Sequence, residues 1–222
     1  MPDIIQVLKT TKLELVRKEH ESGDIYSFYF RPRSSFRHRA GQHGLFFLPG
    51  LKGVHPFTLA NSPQEDHVII GTHVREGSAY KAHLRNMAAG DTLTMRGPML
   101  DFTLDTSKPT AVLLAQGIGI TPFRSILLDN KTKLQPITTH LIHVDAEEHP
   151  YRDLTEPAAD HASYPATKEE FAATVEQTVR ALDGKVTYYV SGSPGFVNGT
   201  TETLTALGVS KKEIKKDGFL GY

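Results

Sequence analysis

Two different periods of apolar and polar positions divide the chain. In the first hundred residues the apolar positions fall in short runs rich in β-branched and aromatic side chains. These are Ile4–Leu8, Lys12–Val16, Ile25–Arg31, Gly44–Leu48, Val68–Val74 and Thr92–Arg96. Gly, Pro, Asn, Asp and Ser punctuate them, which predicts strands joined by turns in an antiparallel barrel or sandwich. One segment departs from this pattern. Ser78–Met87 spaces Tyr80, His83, Leu84 and Met87 as a helix and stops at Ala89-Gly90-Asp91.

Beyond residue 109 the period changes. Apolar strands are predicted at Thr110–Ala115, Ile137–Val144 and Val186–Val190, and helices at Thr121–Asp129, Lys168–Leu182 and Gly195–Leu207. Alternating strands and helices imply a parallel sheet covered on both faces. The expected architecture is therefore β plus α/β, with an antiparallel barrel over 1–106 and an α/β domain over 107–222. The polar segment Asp105–Pro109 forms the junction. Residues 145–167, rich in Ala, Pro, Asp and His, predict no element, and no internal repeat is present.

Composition narrows the chemistry. The 222 residues contain no cysteine, which removes disulfides, thiolate-bound clusters and a cysteine nucleophile. Basic and acidic residues balance at 25 each, so no net field draws the chain to nucleic acid or an anionic membrane. No apolar run spans a bilayer and the N-terminus lacks a signal-peptide pattern, so a cytoplasmic location is expected. The eleven histidines predict no metal site. His140 and His143, at i and i+3 on a strand, point to opposite faces, and no His-Glu-x-x-His occurs. The interrupted run Lys211–Lys216 reads as a solvated helix face that could also help dock an acidic electron-transfer partner.

The strand Ala111–Ala115 runs into Gln116-Gly117-Ile118-Gly119-Ile120-Thr121-Pro122. Two glycines permit a sharp turn and close approach of a ligand to the backbone. Thr121 is expected to cap the following helix and Pro122 to open its first turn, leaving N–H groups for a pyrophosphate. The same residues also suit a βα turn with no ligand.

Five stretches in order resemble the ferredoxin–NADP reductase superfamily across nearly the whole chain. His55-Pro56-Phe57-Thr58 with Leu59–Pro63 is similar to its flavin motif, in the version of the ferric reductase and NADPH oxidase branch. Arg75-Glu76-Gly77-Ser78 resembles the opening of the helix that meets the flavin pyrophosphate. Gly90-Asp91 with Gly97–Phe102 resembles the end of the barrel, and Gln116–Pro122 the turn on the nicotinamide side. Ser191-Gly192-Ser193-Pro194-Gly195-Phe196-Val197 resembles a CGxxxMV segment, ahead of the ending Phe219–Tyr222.

The resemblance implies FAD, a nicotinamide dinucleotide and hydride transfer between them. It places Phe57 on one face of the isoalloxazine and the Thr58 hydroxyl near N5, with His55 and Pro56 in the motif and His55 near the phosphates. Backbone groups of His73 and Val74 would meet the pyrimidine edge. Gly77, Ser78 and the N–H groups of Ala79, Tyr80 and Lys81 would meet the pyrophosphate, with the Lys81 charge compensating for a missing arginine. Gly117, Gly119, Ile120, Thr121 and Gly192 would hold the dinucleotide. Ser191, where the family has cysteine, is given a positioning role, and Phe219 or Tyr222 would cover the second flavin face. Gln116, Leu100 and Phe196 depart from the family pattern.

After the strand ending at Val144 come Asp145, Glu147 and Glu148. These acids would repel a 2′-phosphate, and Asp145 could accept from a ribose diol, so NADH is expected over NADPH. The expected activity is transfer of electrons from NADH through FAD to a separate acceptor such as a ferredoxin, flavodoxin or oxygenase. A direct ferric-chelate or quinone reductase, and a flavin-binding redox sensor, are the alternatives.

Overall fold

The computed structural model describes residues 9–100, 102–146 and 148–218. The expected strand at Ile4–Leu8 and the residues Asp101, Glu147, Phe219 and Tyr222 lie outside them.

Six strands form one antiparallel half-barrel: β1 (Thr10–Ser22), β2 (Ile25–Pro32), β3 (His43–Phe47), β4 (His55–Thr58), β5 (Val68–His73) and β6 (Thr92–Met99). Their spatial order is β4-β3-β6-β1-β2-β5. β1 runs six residues past the expected Val16, because bulges at Leu15/Arg17 and His20/Ser22 carry its polar end along β2. Alternate residues such as Leu13, Leu15, Phe28, Phe30, Leu93 and Met95 enclose an apolar core. The helix α1 (Ala79–Asn86) closes that core with Tyr80 and Leu84.

β4 and β5 are the two free edges of this sheet. Just past β4, the Ala60 amide donates to the Ile69 carbonyl of β5 at 2.8 Å. Away from that point they diverge and leave a cleft.

The second sheet is parallel, in the order β11-β10-β7-β8-β9. Its strands are β7 (Thr110–Gln116), β8 (Thr138–Val144), β9 (His161–Ser163), β10 (Val186–Gly192) and β11 (Ile214–Gly218). Helices α2 (Thr121–Lys131), α3 (Arg152–Thr155), α4 (Lys168–Ala181) and α5 (Pro194–Ala206) complete it. β10 is buried along its whole length, as expected when helices cover both faces. The sequence predicts no element at β4, β9, α3 or β11, and the run Lys211–Lys216, expected as a helix face, is a 3-10 turn that leads into β11. β4, β9 and α3 are only three or four residues long, and β11 (IKKDG) has one buried position.

Chain order along this sheet reverses beside β7: β8 and β9 extend to one side, β10 and β11 to the other. Such a switch point leaves a crevice at the carboxyl ends of the central strands. Gly119 and Gly192 lie there.

Candidate functional site

The cleft between β4 and β5 has a volume of about 460 Å³. His55, Pro56, Phe57 and Thr58 line one side, with Thr72 and His73 on the other. Gly77, Ser78 and Lys81 close one end, and Ile118 and Thr121 reach in from the second sheet. The strand edges offer unpaired backbone donors and acceptors to a flat ligand. The Val74 amide is not among them, since it donates to the Asp24 carbonyl at 2.7 Å. His73 Nδ1 lies 2.5 Å from Asp24 Oδ1, and Arg75 donates to the other oxygen of that carboxylate, Oδ2, at 2.6 Å.

Behind the cleft, Tyr80 packs against His55, with ring centroids 3.7 Å apart, and against Phe57 at 5.9 Å. Burial and then the Lys81 charge hold the His55 pKa below its ordinary value, favouring neutral imidazole. Of the two cations that line the cleft, Arg75 is paired with Asp24, and the other is Lys81. Its side chain is buried, its ammonium donates to the Thr72 hydroxyl, and it stands 5.0 Å from the Phe57 ring centre. No carboxylate pairs with it among the described residues, and burial lowers its pKa to about 8. A buried ammonium held by a hydroxyl and a ring face is an incomplete site whose natural complement is an anion.

The helix next to Lys81 begins as anticipated. Gly77 has φ +90°, a conformation suited to glycine, and open space around its Cα. The Ser78 hydroxyl accepts from the Lys81 amide at 3.3 Å. Of the three amides expected to meet phosphate, that of Lys81 is therefore taken by the cap. Ala79 is exposed, and the Tyr80 side chain lies in the core.

The glycine turn differs in one respect from expectation. Gly117–Ile120 forms a 3-10 turn that runs directly into α2, and Thr121 is the first helical residue. Its hydroxyl donates to the Ile118 carbonyl at 3.0 Å and does not cap the helix. The backbone N–H of Thr121 also donates to the Ile118 carbonyl, as the last bond of the 3-10 turn. Gly117 takes φ +52°, and a Cβ there would stand 3.6 Å from Asp145 Oδ2. Gly119 lies so close to the Ser191 carbonyl that a Cβ would overlap it. Ile120 is wholly buried beneath the turn. Across the crevice, Ser193 Oγ donates to Gln116 Oε1 at 2.7 Å, beside Gly192.

Three residues organise these parts: His143, considered from the sequence only as a metal ligand, and His43 and Asp217, which the sequence did not single out. His143 is buried and donates from Nε2 to the Gly117 carbonyl at 2.9 Å, tying the turn to β8. Its pKa falls to about 3, chiefly through burial and then the neighbouring His149. His43 on β3 lies 3.0 Å from the Thr58 hydroxyl through Nε2, and the same nitrogen is 3.1 Å from Asp217 Oδ2 on β11. Asp217 pairs in register with Ser191, whose buried hydroxyl has no partner among the described residues. No sequence motif announces the pairing of His43 with Asp217, because it joins strands 174 residues apart in the two sheets.

The curated relatives are similar over most of the chain. A flavohemoprotein from Bacillus subtilis is 27% identical over 233 residues, which is 92% of this chain and 58% of that protein. The reductase component of phenol 2-monooxygenase from a Pseudomonas strain is 24% identical, over 82% of this chain and 57% of that protein. The chain thus spans less than two thirds of the length of these relatives. A ferredoxin NADP+ reductase structure from Neisseria gonorrhoeae, with bound FAD and NADP, superposes with a TM-score of 0.82 at 19% identity. The match covers 96% of this chain and 99% of that one. The chain is thus similar to flavohemoproteins and to the reductase component of an oxygenase, and it shares the fold of ferredoxin NADP+ reductases. Its half-barrel and parallel sheet match the flavin-binding barrel and the nucleotide-binding domain of that fold. No protein-family model matches the chain. Among the described residues, no helix is long and apolar enough to cross a membrane, and no three potential metal ligands cluster.

Proposed function

We propose that the chain is an NAD(P)H-dependent flavoprotein reductase. It binds FAD in the cleft between β4 and β5 and a nicotinamide dinucleotide over the 116–122 turn. Electrons then pass to a separate acceptor such as a ferredoxin, flavodoxin or oxygenase component. The observation that carries this reading is the meeting of the two sites. Ile118 and Thr121, from the glycine turn at the sheet's switch point, form part of the wall of the cleft that holds Phe57 and Thr58. The division into a flavin barrel at 1–106 and a nucleotide unit at 107–222 belongs to the same reading.

The bound flavin and nicotinamide would supply the hydride chemistry, and the protein's contribution is geometry and charge. Phe57 presents a ring for stacking, and Thr58 a hydroxyl for the atom that accepts hydride. Lys81 offers its charge to the anionic part of the flavin, in place of the family's arginine. His55 and Pro56 shape the wall, His73 lends backbone groups, and Gly77 and Ser78 open the helix toward phosphate. Gly117, Gly119 and Gly192 let the dinucleotide backbone approach. Ser191 positions and does not transfer protons.

Two measurements test this. The purified protein should be yellow, release FAD on denaturation and bleach when NADH is added without oxygen. A colourless protein with affinity for neither ligand ends the reading, and a flavin that stays oxidised for minutes points to a sensor. The preference for NADH rests on Asp145 beside Gly117. kcat/KM should favour NADH over NADPH, and D145A should narrow the ratio by about tenfold, the scale of one charge contact.

A further inference from the structure

Among the described residues, His43 is a buried imidazole with two neighbours at one nitrogen and none at the other. Its side chain is 5% exposed. Nε2 lies 3.0 Å from Thr58 Oγ1 in hydrogen-bond alignment, while Asp217 Oδ2 sits 3.1 Å from the same Nε2, off the hydrogen-bond axis. Nδ1 is buried with no partner among the described residues.

These contacts fix where the proton resides. With the proton on Nδ1, a buried N–H would have no acceptor and the bare Nε2 lone pair would face a carboxylate. Both are costly. An imidazolium would likewise leave Nδ1–H without an acceptor. With the proton on Nε2, the N–H points at Thr58 Oγ1 and lies beside the Asp217 charge. Only an acceptor atom is then left without a partner, the milder penalty. Thr58 Oγ1 therefore accepts from His43, and its own hydrogen is free to point elsewhere. Thr58 lines the cleft.

We propose that His43 and Asp217 are positioning residues, which set the polarity of the Thr58 hydroxyl so that it donates into the flavin cleft. A donor at this place complements an oxidised ring nitrogen that must gather negative charge as hydride arrives. The carboxylate comes from one sheet and the hydroxyl and imidazole from the other, so the polarity is set only when the two halves are apposed. This inference rests on the proposed flavin site.

The test uses the full chain loaded with FAD and compares wild type with H43F, H43Q and D217N. Flavin affinity, the visible absorption spectrum and the anaerobic rate of flavin reduction by NADH are measured. H43F removes the donor to Thr58, and D217N removes the charge that keeps the proton on Nε2. Each should slow reduction on the order of tenfold, less than loss of a donor in direct contact, and shift the visible flavin band. H43Q restores an N–H donor at this position and should stay within about threefold of wild type, with an unshifted band. Wild-type rates and spectra in H43F and D217N would overturn the proposal, as would an H43Q as slow as H43F. Should H43F fail to retain flavin, a wild-type rate and spectrum in D217N overturns it alone. A wild-type protein that binds no flavin, or is not reduced, defeats the parent reading. Variants that match an active wild type defeat only this one.

Discussion

Arg124 on α2 grips the carboxylate of Glu65, in the loop between β4 and β5, through parallel hydrogen bonds of 2.8 and 2.9 Å. The same guanidinium donates to the Ala60 carbonyl at 2.8 Å, and Ser125 donates to the Asn61 carbonyl at 2.5 Å. The loop that joins the two edges of the β4–β5 cleft is thereby fastened to the helix that follows the glycine turn. Burial alone would raise the Glu65 carboxyl, yet the Arg124 hydrogen bonds and charge, with the Ser62 amide, leave its pKa lowered.

The two ends of this ion pair are unequal. The Arg124 side chain is 3% exposed and that of Glu65 is 32% exposed. E65A leaves a guanidinium buried without its carboxylate and should cost about 3 kcal/mol, the low end for that defect because Glu65 is partly solvated. R124M leaves a carboxylate that can turn to water, and should cost less than half as much. Urea unfolding of both variants checks the order. Equal losses would mean that the burial of Arg124 is not what makes the contact costly to break.

Two glycines of the parallel-sheet half should respond to alanine with opposite signs. At Gly119 the new methyl meets the Ser191 carbonyl, backbone that cannot swing aside. G119A should destabilise by about 2 kcal/mol, as overpacking does, and weaken dinucleotide binding by displacing the turn. Gly199 lies inside α5 with nothing within 4 Å of a built Cβ. G199A should stabilise by about 0.5–1 kcal/mol, the difference in helix propensity. Thermal melts of the pair, with NADH titration of G119A, decide both.

Lys81 gives the flavin site a pH dependence of its own. Its pKa near 8 means that the ammonium loses its proton just above neutrality. Affinity for an anionic ligand should therefore fall as pH rises through about 8, and K81M should bind FAD about tenfold more weakly at pH 7 with no such fall. The stability of the ligand-free protein should move the other way. Between about pH 8 and 10.5 the unfolded chain holds the proton that the native lysine has released, so stability rises with pH. Fluorescence titration of FAD across this range, with denaturation curves of the free protein, tests both signs. A flat FAD affinity from pH 7 to 9.5 would remove Lys81 from phosphate or ring recognition.

The parts of this molecule legible in the sequence are those where local chemistry repeats a period or a turn. Val186–Val190 reads as a strand because every position is apolar or β-branched, and Gly117 and Gly119 read as a turn because only glycine suits it. The helical segment Ser78–Met87 and the motif at residues 55–58 were likewise apparent, the latter through resemblance. What escaped depends on apposition. β11 pairs with β10 although its own sequence, Ile214–Gly218, is mostly polar, since a parallel edge strand needs backbone partners more than apolar side chains. The mistaken cap at Thr121 has a local cause: a 3-10 turn leads into α2, and the sequence Thr-Pro reads the same with or without one. His43, Asp217 and Arg124 act across the seam between sheets, where sequence spacing carries no information.

His143 links acid stability to the dinucleotide turn. Its ordinary value near 6.5 falls to about 3 in the folded protein, because burial and then the neighbouring His149 outweigh the opposing effect of the hydrogen bond to the Gly117 carbonyl. Between those values the unfolded chain binds a proton that the native chain refuses. Stability contributed at this site is thus intact above about pH 6.5 and declines as pH falls, by about 1.4 kcal/mol per pH unit. H143Q keeps an N–H donor for the Gly117 carbonyl without a titrating group, so its unfolding free energy should lose one proton's worth of slope between pH 6 and 4. Affinity for the dinucleotide should hold, because the turn keeps its tether. H143V breaks the tether and should lose that affinity at every pH. Denaturation from pH 4 to 8, with NADH titration at pH 7, separates the two roles. An unchanged acid slope in H143Q would place the titrating group elsewhere.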